Sequence, residues 1–151
     1  MGDGLDEFHL AAWRAFINAH ASVIDRIEQK LAEAEQLPLT SYDVLVALAE
    51  APNRRLRMND LARKVVVLSR SGVTRLVDRL EAEGLLSRER TAADRRGAYA
   101  VITDKGLAAL DRARPIYARG IAQHFARHLS DAEVRVLTSA LQRIDAANRQ
   151  S

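Results

Sequence analysis

Apolar residues recur three and four apart along most of this chain, and short polar interruptions cut the pattern into segments. From Leu5 to Leu37 the recurrence runs through Trp13, Phe16, Val23 and Ile27, with His20 in the same seam. It predicts a long helix facing other helices. "LPLT" around Pro38 breaks it, and Thr40 with Asp43 has the spacing of a capping box for a second helix. That helix turns Val44, Leu45 and Leu48 inward and stops at "EAPNRR".

Shorter elements fill the middle. "MNDLARKV" places Met58, Leu61, Ala62 and Val65 at helical spacing, and Ser69 is positioned to cap a further helix striped by Val73, Leu76, Val77 and Leu80. Gly84 stands where a left-handed glycine would end it. "LLSRERT" and "AYAVIT" then read as two short strands flanking the polar tip "AADRRG". "TDKG" opens a helix through about His128 that buries Leu107, Leu110, Tyr117, Ile121 and Phe125, with Pro115 as its kink or weak point. "SDAE", Ser130 with Glu133, is a capping box for a last helix carrying Val134, Leu137, Leu141 and Ile144. The expected class is mainly α with a small β-hairpin. Residues 38–103 have the element order of a winged helix-turn-helix, flanked by the helical residues 1–37 and 104–151. No internal repeat or low-complexity linker divides the chain.

Composition narrows the function. The 151 residues are 48% hydrophobic, enough for one real core, and no run of about 18 apolar residues spans a membrane. An acidic start without a basic and apolar leader excludes a signal peptide, so a cytoplasmic location is expected. The absence of cysteine excludes disulfides, thiolate metal sites and cysteine-based redox sensing. Net charge is +3, but residues 57–97 hold 10 Lys/Arg against 6 Asp/Glu and so carry all of the positive excess. A basic middle suits a polyanion.

The charges of "SRSGVTRLVDRLEAEGLL" run against the helix dipole, with Arg70, Arg75 and Arg79 early and Glu81 and Glu83 at the end. Opposite the apolar stripe this helix displays Ser71, Thr74, Arg75 and Asp78, with Arg79 at the edge. Short hydroxyls permit close approach, and arginine grips a guanine edge or a phosphate with two bonds. An N-terminus with free N–H groups already favours phosphate, and Ser69, Arg70 and Ser71 stand there. For any single arginine, an ordinary solvated side chain is the better account. The whole face together with Asp94, Arg95 and Arg96 at the hairpin tip favours a nucleic-acid surface, the tip entering a minor groove.

These residues resemble the MarR family of bacterial transcription regulators. The matching text is "LPLTSYDVLVALAE", "MNDLARKV", "LSRSGVTRLVDRLEAEGLLSRERTAADRRGAYAVITDKG" and "LSDAE", specific from Leu37 to Gly106. The D-x-R tip followed by T-x-K-G is the strongest signature, whereas Val65-Val66-Val67-Leu68 replaces the glycine the family often has in the turn. The resemblance implies a homodimer, with residues 1–37 and 104–151 as its helical dimerisation region, on a pseudopalindromic operator of double-stranded DNA, usually repressing, and often released by a small aromatic or anionic effector. On that basis Trp13, Phe16, His20 and Tyr42 are candidates for lining an effector pocket. Their spacing also suits plain packing, the better account for Trp13, Phe16 and His20.

Other chemistry finds little support. His124 and His128 stand four apart without a cysteine or acidic companion, so no metal is expected, and no cofactor. There is no phosphate loop, no Ser-His-Asp arrangement and no HExxH, so no enzyme is expected. The competing reading is a winged-helix protein-interaction module without specific DNA binding.

Overall fold

A computed structural model of the chain describes residues 4–65, 68–90 and 98–150. These contain six helices: α1 (Glu7–Glu33), α2 (Leu39–Glu50), α3 (Met58–Lys64), α4 (Arg70–Ala82), α5 (Asp104–His124) and α6 (Asp131–Arg149). Three short strands, β1 (Arg55–Arg57), β2 (Leu86–Glu89) and β3 (Tyr99–Ile102), form an antiparallel sheet in the order β1-β3-β2. The fold is mainly helical with a small winged sheet. Its residues divide into two compact units, one spanning Ile27–Ala118, the other holding the chain up to Arg26 and from Arg119 onward.

The Ile27–Ala118 unit contains the core. Val44, Leu45 and Leu48 of α2 are sealed from water, as are Leu61 of α3 and Val73 and Val77 of α4, with Leu86, Ala100 and Leu110 closing the far sides. Burying each such leucine or valine contributes about 1.5–3 kcal/mol relative to exposure. The α4 stripe of Val73, Leu76, Val77 and Leu80 is wholly buried, so its opposite face is committed to the outside. In the sheet, Leu86 pairs with Ile102 and Arg88 with Ala100, which fixes the wing's register.

Helix ends follow their local chemistry. Ser69 Oγ accepts from the Gly72 N–H at 3.1 Å and caps α4. Gly84 takes φ +77 beyond its last turn, where Gly84 N donates to Glu81 O and Leu85 N to Leu80 O, closing the helix with a left-handed glycine. The Ser130–Glu133 box at α6 is complete, each residue bonding the other's backbone N–H. The box expected at Thr40 and Asp43 is absent. Helix α2 begins at Leu39 behind Pro38 with no side-chain cap, and Asp43 lies half-buried. The helix starts earlier than the box requires: Pro38, which has no side-chain acceptor, holds the N-cap position, and Thr40 lies inside the first turn.

Two further expectations change. Strand β1, built from "RLR" after a 3-10 turn with Asn53 and Arg54 at positive φ, adds a third strand beyond the two read from the pattern. Helix α5 runs unbroken through Pro115 but ends at His124. A separate 3-10 turn then covers Ala126–His128, and Phe125 between them is exposed rather than buried.

Candidate nucleic-acid interface

The outer face of α4 assembles from residues set by its buried stripe. Ser71, Thr74, Arg75, Asp78 and Arg79 are exposed, as are Ser69 and Arg70 at the start. Ser69 Oγ lies 3.2 Å from Ser71 Oγ, so the two hydroxyls crowd the helix entrance together. Thr74 Oγ1 donates to Arg70 O at 3.1 Å, which leaves the hydroxyl an acceptor toward solvent. Among the described residues, Arg70, Arg75 and Arg79 have no ion-pair partner. Three uncommitted cations stand beside two short hydroxyls on one side of one helix. Such a surface suits a polyanion approached closely.

Asp78 is not uncommitted. Its Oδ1 lies 2.6 Å from Arg88 Nη1 on β2, and Glu81 Oε1 lies 3.6 Å from the same nitrogen. Glu81 Oε2 also accepts from the Arg88 backbone N–H at 2.9 Å. Arg88 therefore pins the wing strand to α4 and neutralises acids on the exposed side. The arginine that Asp78 holds is a strand residue, which the helical pattern could not identify.

At the base of the wing, Tyr99 carries two arginines. The guanidinium carbons of Arg55 and Arg57 lie 5.6 and 5.4 Å from the ring centroid, and Arg57 Nε donates to the Tyr99 hydroxyl at 3.0 Å. Arg55 reaches across β3 to Glu89 at 2.7 Å. Arg55, Arg57 and Tyr99 escaped the sequence reading, since "RLR" is too short for its alternation to signal that both arginines share one strand face. Asp94, Arg95 and Arg96, the expected tip, lie outside the described residues.

The effector candidates separate. Trp13 and Phe16 touch each other on α1, ring centroids 6.2 Å apart, with 59% and 44% of their surface open, and His20 is exposed as well. Tyr42 belongs to the other unit. It is buried against Tyr117 of α5 at 4.5 Å between centroids, tilted 30°. Burial pushes both phenols above their usual range, and the half-buried Asp43 carboxyl is likewise raised by desolvation. Tyr117 as a stacking partner was not foreseen. His124 ends α5 while His128 sits in the following turn, and no group of three or more possible metal ligands occurs among the described residues.

Comparison with known proteins agrees with this geometry. A sequence model described as MarR family matches residues 35–97. The chain is 34% identical over 113 residues to YkoM of Bacillus subtilis (strain 168), described as an uncharacterized HTH-type transcriptional regulator. That match covers 75% of this chain and 71% of that one. Among solved structures, AbsC from Streptomyces coelicolor, a MarR family transcriptional regulator, superposes with a TM-score of 0.87 at 29% identity, covering 97% and 98% of the two chains. Sco3205 from the same organism, a MarR family transcriptional regulator in complex with DNA, gives 0.86 at 31% identity over 95% and 89%.

Proposed function

The chain belongs to the MarR family of transcriptional regulators, and from that premise we propose that it binds double-stranded DNA sequence-specifically, as a homodimer on a pseudopalindromic operator, and represses transcription in the cytoplasm. It works as a binder rather than an enzyme. Residues 38–103 contact DNA, and residues 1–37 and 104–151 pair the two copies.

One observation carries this reading: Arg70, Arg75 and Arg79 stand without ion-pair partners, among the described residues, on the face of α4 opposite a fully buried stripe. A helix so mounted enters a major groove with its N-terminal residues leading. Ser69, Arg70, Ser71, Thr74 and Arg75 meet bases and phosphates, Arg79 meets phosphate, and Asp94, Arg95 and Arg96 reach the adjoining groove. The similarity to a relative held on DNA supports the same use of the fold.

An effector, on this reading, is a small aromatic or anionic molecule. The stacked Tyr42 and Tyr117, with Arg114 acting electrostatically on Tyr42, supply an aromatic wall and a cation for it. Trp13, Phe16 and His20 belong to the dimer seam, where their exposure in one copy is covered by the other.

Electrophoretic shift on the DNA upstream of the protein's own gene, repeated over a salt series, tests the proposal. Specific binding that falls about 10³-fold or more between 50 and 200 mM salt is expected. No specific shift at low salt transfers the fold to the protein-interaction reading.

A further inference from the structure

The turn that follows α4 is fastened to the first turn of α5 by side chains whose role the DNA-contacting face does not explain. Three successive carbonyls of this turn are each taken by one donor. Lys105 Nζ donates to Glu83 O at 2.8 Å, Thr103 Oγ1 to Gly84 O at 2.6 Å, and Thr103 N to Leu85 O at 3.2 Å. Thr103 Oγ1 in turn accepts from Gly106 N at 3.1 Å and caps α5. A Cβ at Gly106 would overlap the Leu85 carbonyl oxygen, so only glycine lets the two backbones meet. Lys105 also lays its stem over Gly84, placing its ammonium at the negative end of the α4 dipole.

This fastening does what the buried stripe cannot. Val73, Leu76, Val77 and Leu80 set how deep α4 sits and which face it turns outward, but apolar contacts are weakly directional. Hydrogen bonds to carbonyls are directional and resist tilting. The fastened end is the C-terminal one, while the exposed hydroxyls and arginines cluster toward the other. Helix α4 has 13 residues and so measures about 20 Å, and a tilt of about 10° about its fastened end moves the leading end about 3.4 Å, one base-pair step.

We infer that Thr103 and Lys105 are positioning residues that lock the angle of α4 against α5 and thereby set the half-site spacing the dimer accepts. The inference rests on the DNA-binding reading above. It assigns these residues no contact with DNA, and it accounts for T-D-K-G as a unit. The hydroxyl and ammonium are donors to the turn, and the glycine is the clearance that lets them reach it.

The test uses duplexes selected from a random library by the full-length wild-type protein, then rebuilt with the half-site spacing changed by one base pair either way. Thr103→Val should lose about fivefold of the wild-type preference for the selected spacing, the worth of one directional bond, while base preference within each half-site stays unchanged. Thr103→Ser should restore it. Lys105→Met, at an exposed position, should show the same loss without a folding defect, so the test survives a Thr103→Val that fails to fold. Equal weakening at every spacing, unchanged spacing preference, or a wild type indifferent to spacing overturns the inference. A wild type that selects no duplex removes the DNA-binding reading itself, and the inference falls with it.

Discussion

Leu45, Leu61 and Val77 are sealed from water in the unit spanning Ile27–Ala118, whereas Trp13, Val136 and Ile144 in the other unit are 59%, 70% and 59% exposed. Both units are built from amphipathic helices with similar apolar stripes. In the first, α2, α4, the sheet and the start of α5 cover one another's stripes within one chain. In the second, Leu5, Phe8, Phe16, Ile17, Phe125 and Val134 also lie open. Scattered exposed hydrophobics need no account, but among the described residues nine large ones fall in one unit, the kind of surface a partner covers. In the proposed homodimer a second copy of the same chain would cover it by presenting the same patch. The difference separates a unit that covers its apolar stripes within one chain from one that leaves them open, as the proposed homodimer requires.

That contrast can be broken most directly at Ile144. Ile144→Asp places an unpaired charge in the seam and should cost the dimer about 3–5 kcal/mol, read as a fall from two-chain to one-chain mass in sedimentation. An unchanged mass would make the open apolar surface solvent-facing after all. On the other side, Leu48→Ala should lower stability by about 2–5 kcal/mol in denaturant unfolding, because its side chain is enclosed with no solvent to refill the space. A loss below about 1 kcal/mol would show that this core is looser than its burial implies.

Within the closed unit the comparison sharpens between buried and outward faces of one helix. Arg75→Ala should leave unfolding nearly unchanged, yet cost about 1–3 kcal/mol of DNA affinity and relax base preference at one position. Loss shared equally by all sequences would assign Arg75 to phosphate. Arg88→Met should change stability by less than about 1 kcal/mol, since its pairs with Asp78 and Glu81 are partly exposed. It should still weaken DNA binding by uncovering the Asp78 carboxylate, and adding Asp78→Asn should recover most of the loss. Failure of that recovery would show that Arg88 meets DNA itself.

Elements with periodic stripes or explicit caps were legible in the sequence, as Ser69, Gly84 and the Ser130–Glu133 box demonstrate. Legibility failed where the cause was not periodic. Strand β1 has three residues, too few for alternation, and it exists because Asn53 and Arg54 turn the chain back onto β3. The Thr40–Asp43 box failed because α2 starts earlier, at Leu39, which puts Thr40 inside the first turn. In the interface, residue types on α4 could be placed from the wheel, but Arg88 and the Arg55–Tyr99–Arg57 stack depend on cross-strand register, which single-chain spacing does not encode. T-D-K-G could be noticed as a motif, whereas its three carbonyl partners lie about 20 residues away in sequence.

The smallest expected effect concerns acid, and it has opposite signs in the two units. Glu133, bonded by the Ser130 backbone N–H and hydroxyl, is held below its ordinary value of 4.5. Asp6, bonded by His9, is likewise held below 3.8. Their contribution is therefore complete above the unfolded values and is lost as pH falls through the folded ones. Asp43 in the closed unit behaves inversely. Burial raises its pKa above 3.8, so ionising it costs the folded state, and its penalty grows as pH rises through the interval up to the raised value. Asp43→Asn should accordingly raise stability at neutral pH and flatten the unfolding profile over that interval. Glu133→Gln should lower neutral stability and flatten the profile below pH 4.5. Both variants shifting stability in the same direction at neutral pH would mean that Asp43 finds a compensating partner in the folded chain, and that the closed unit is better matched to this half-buried acid than desolvation alone allows.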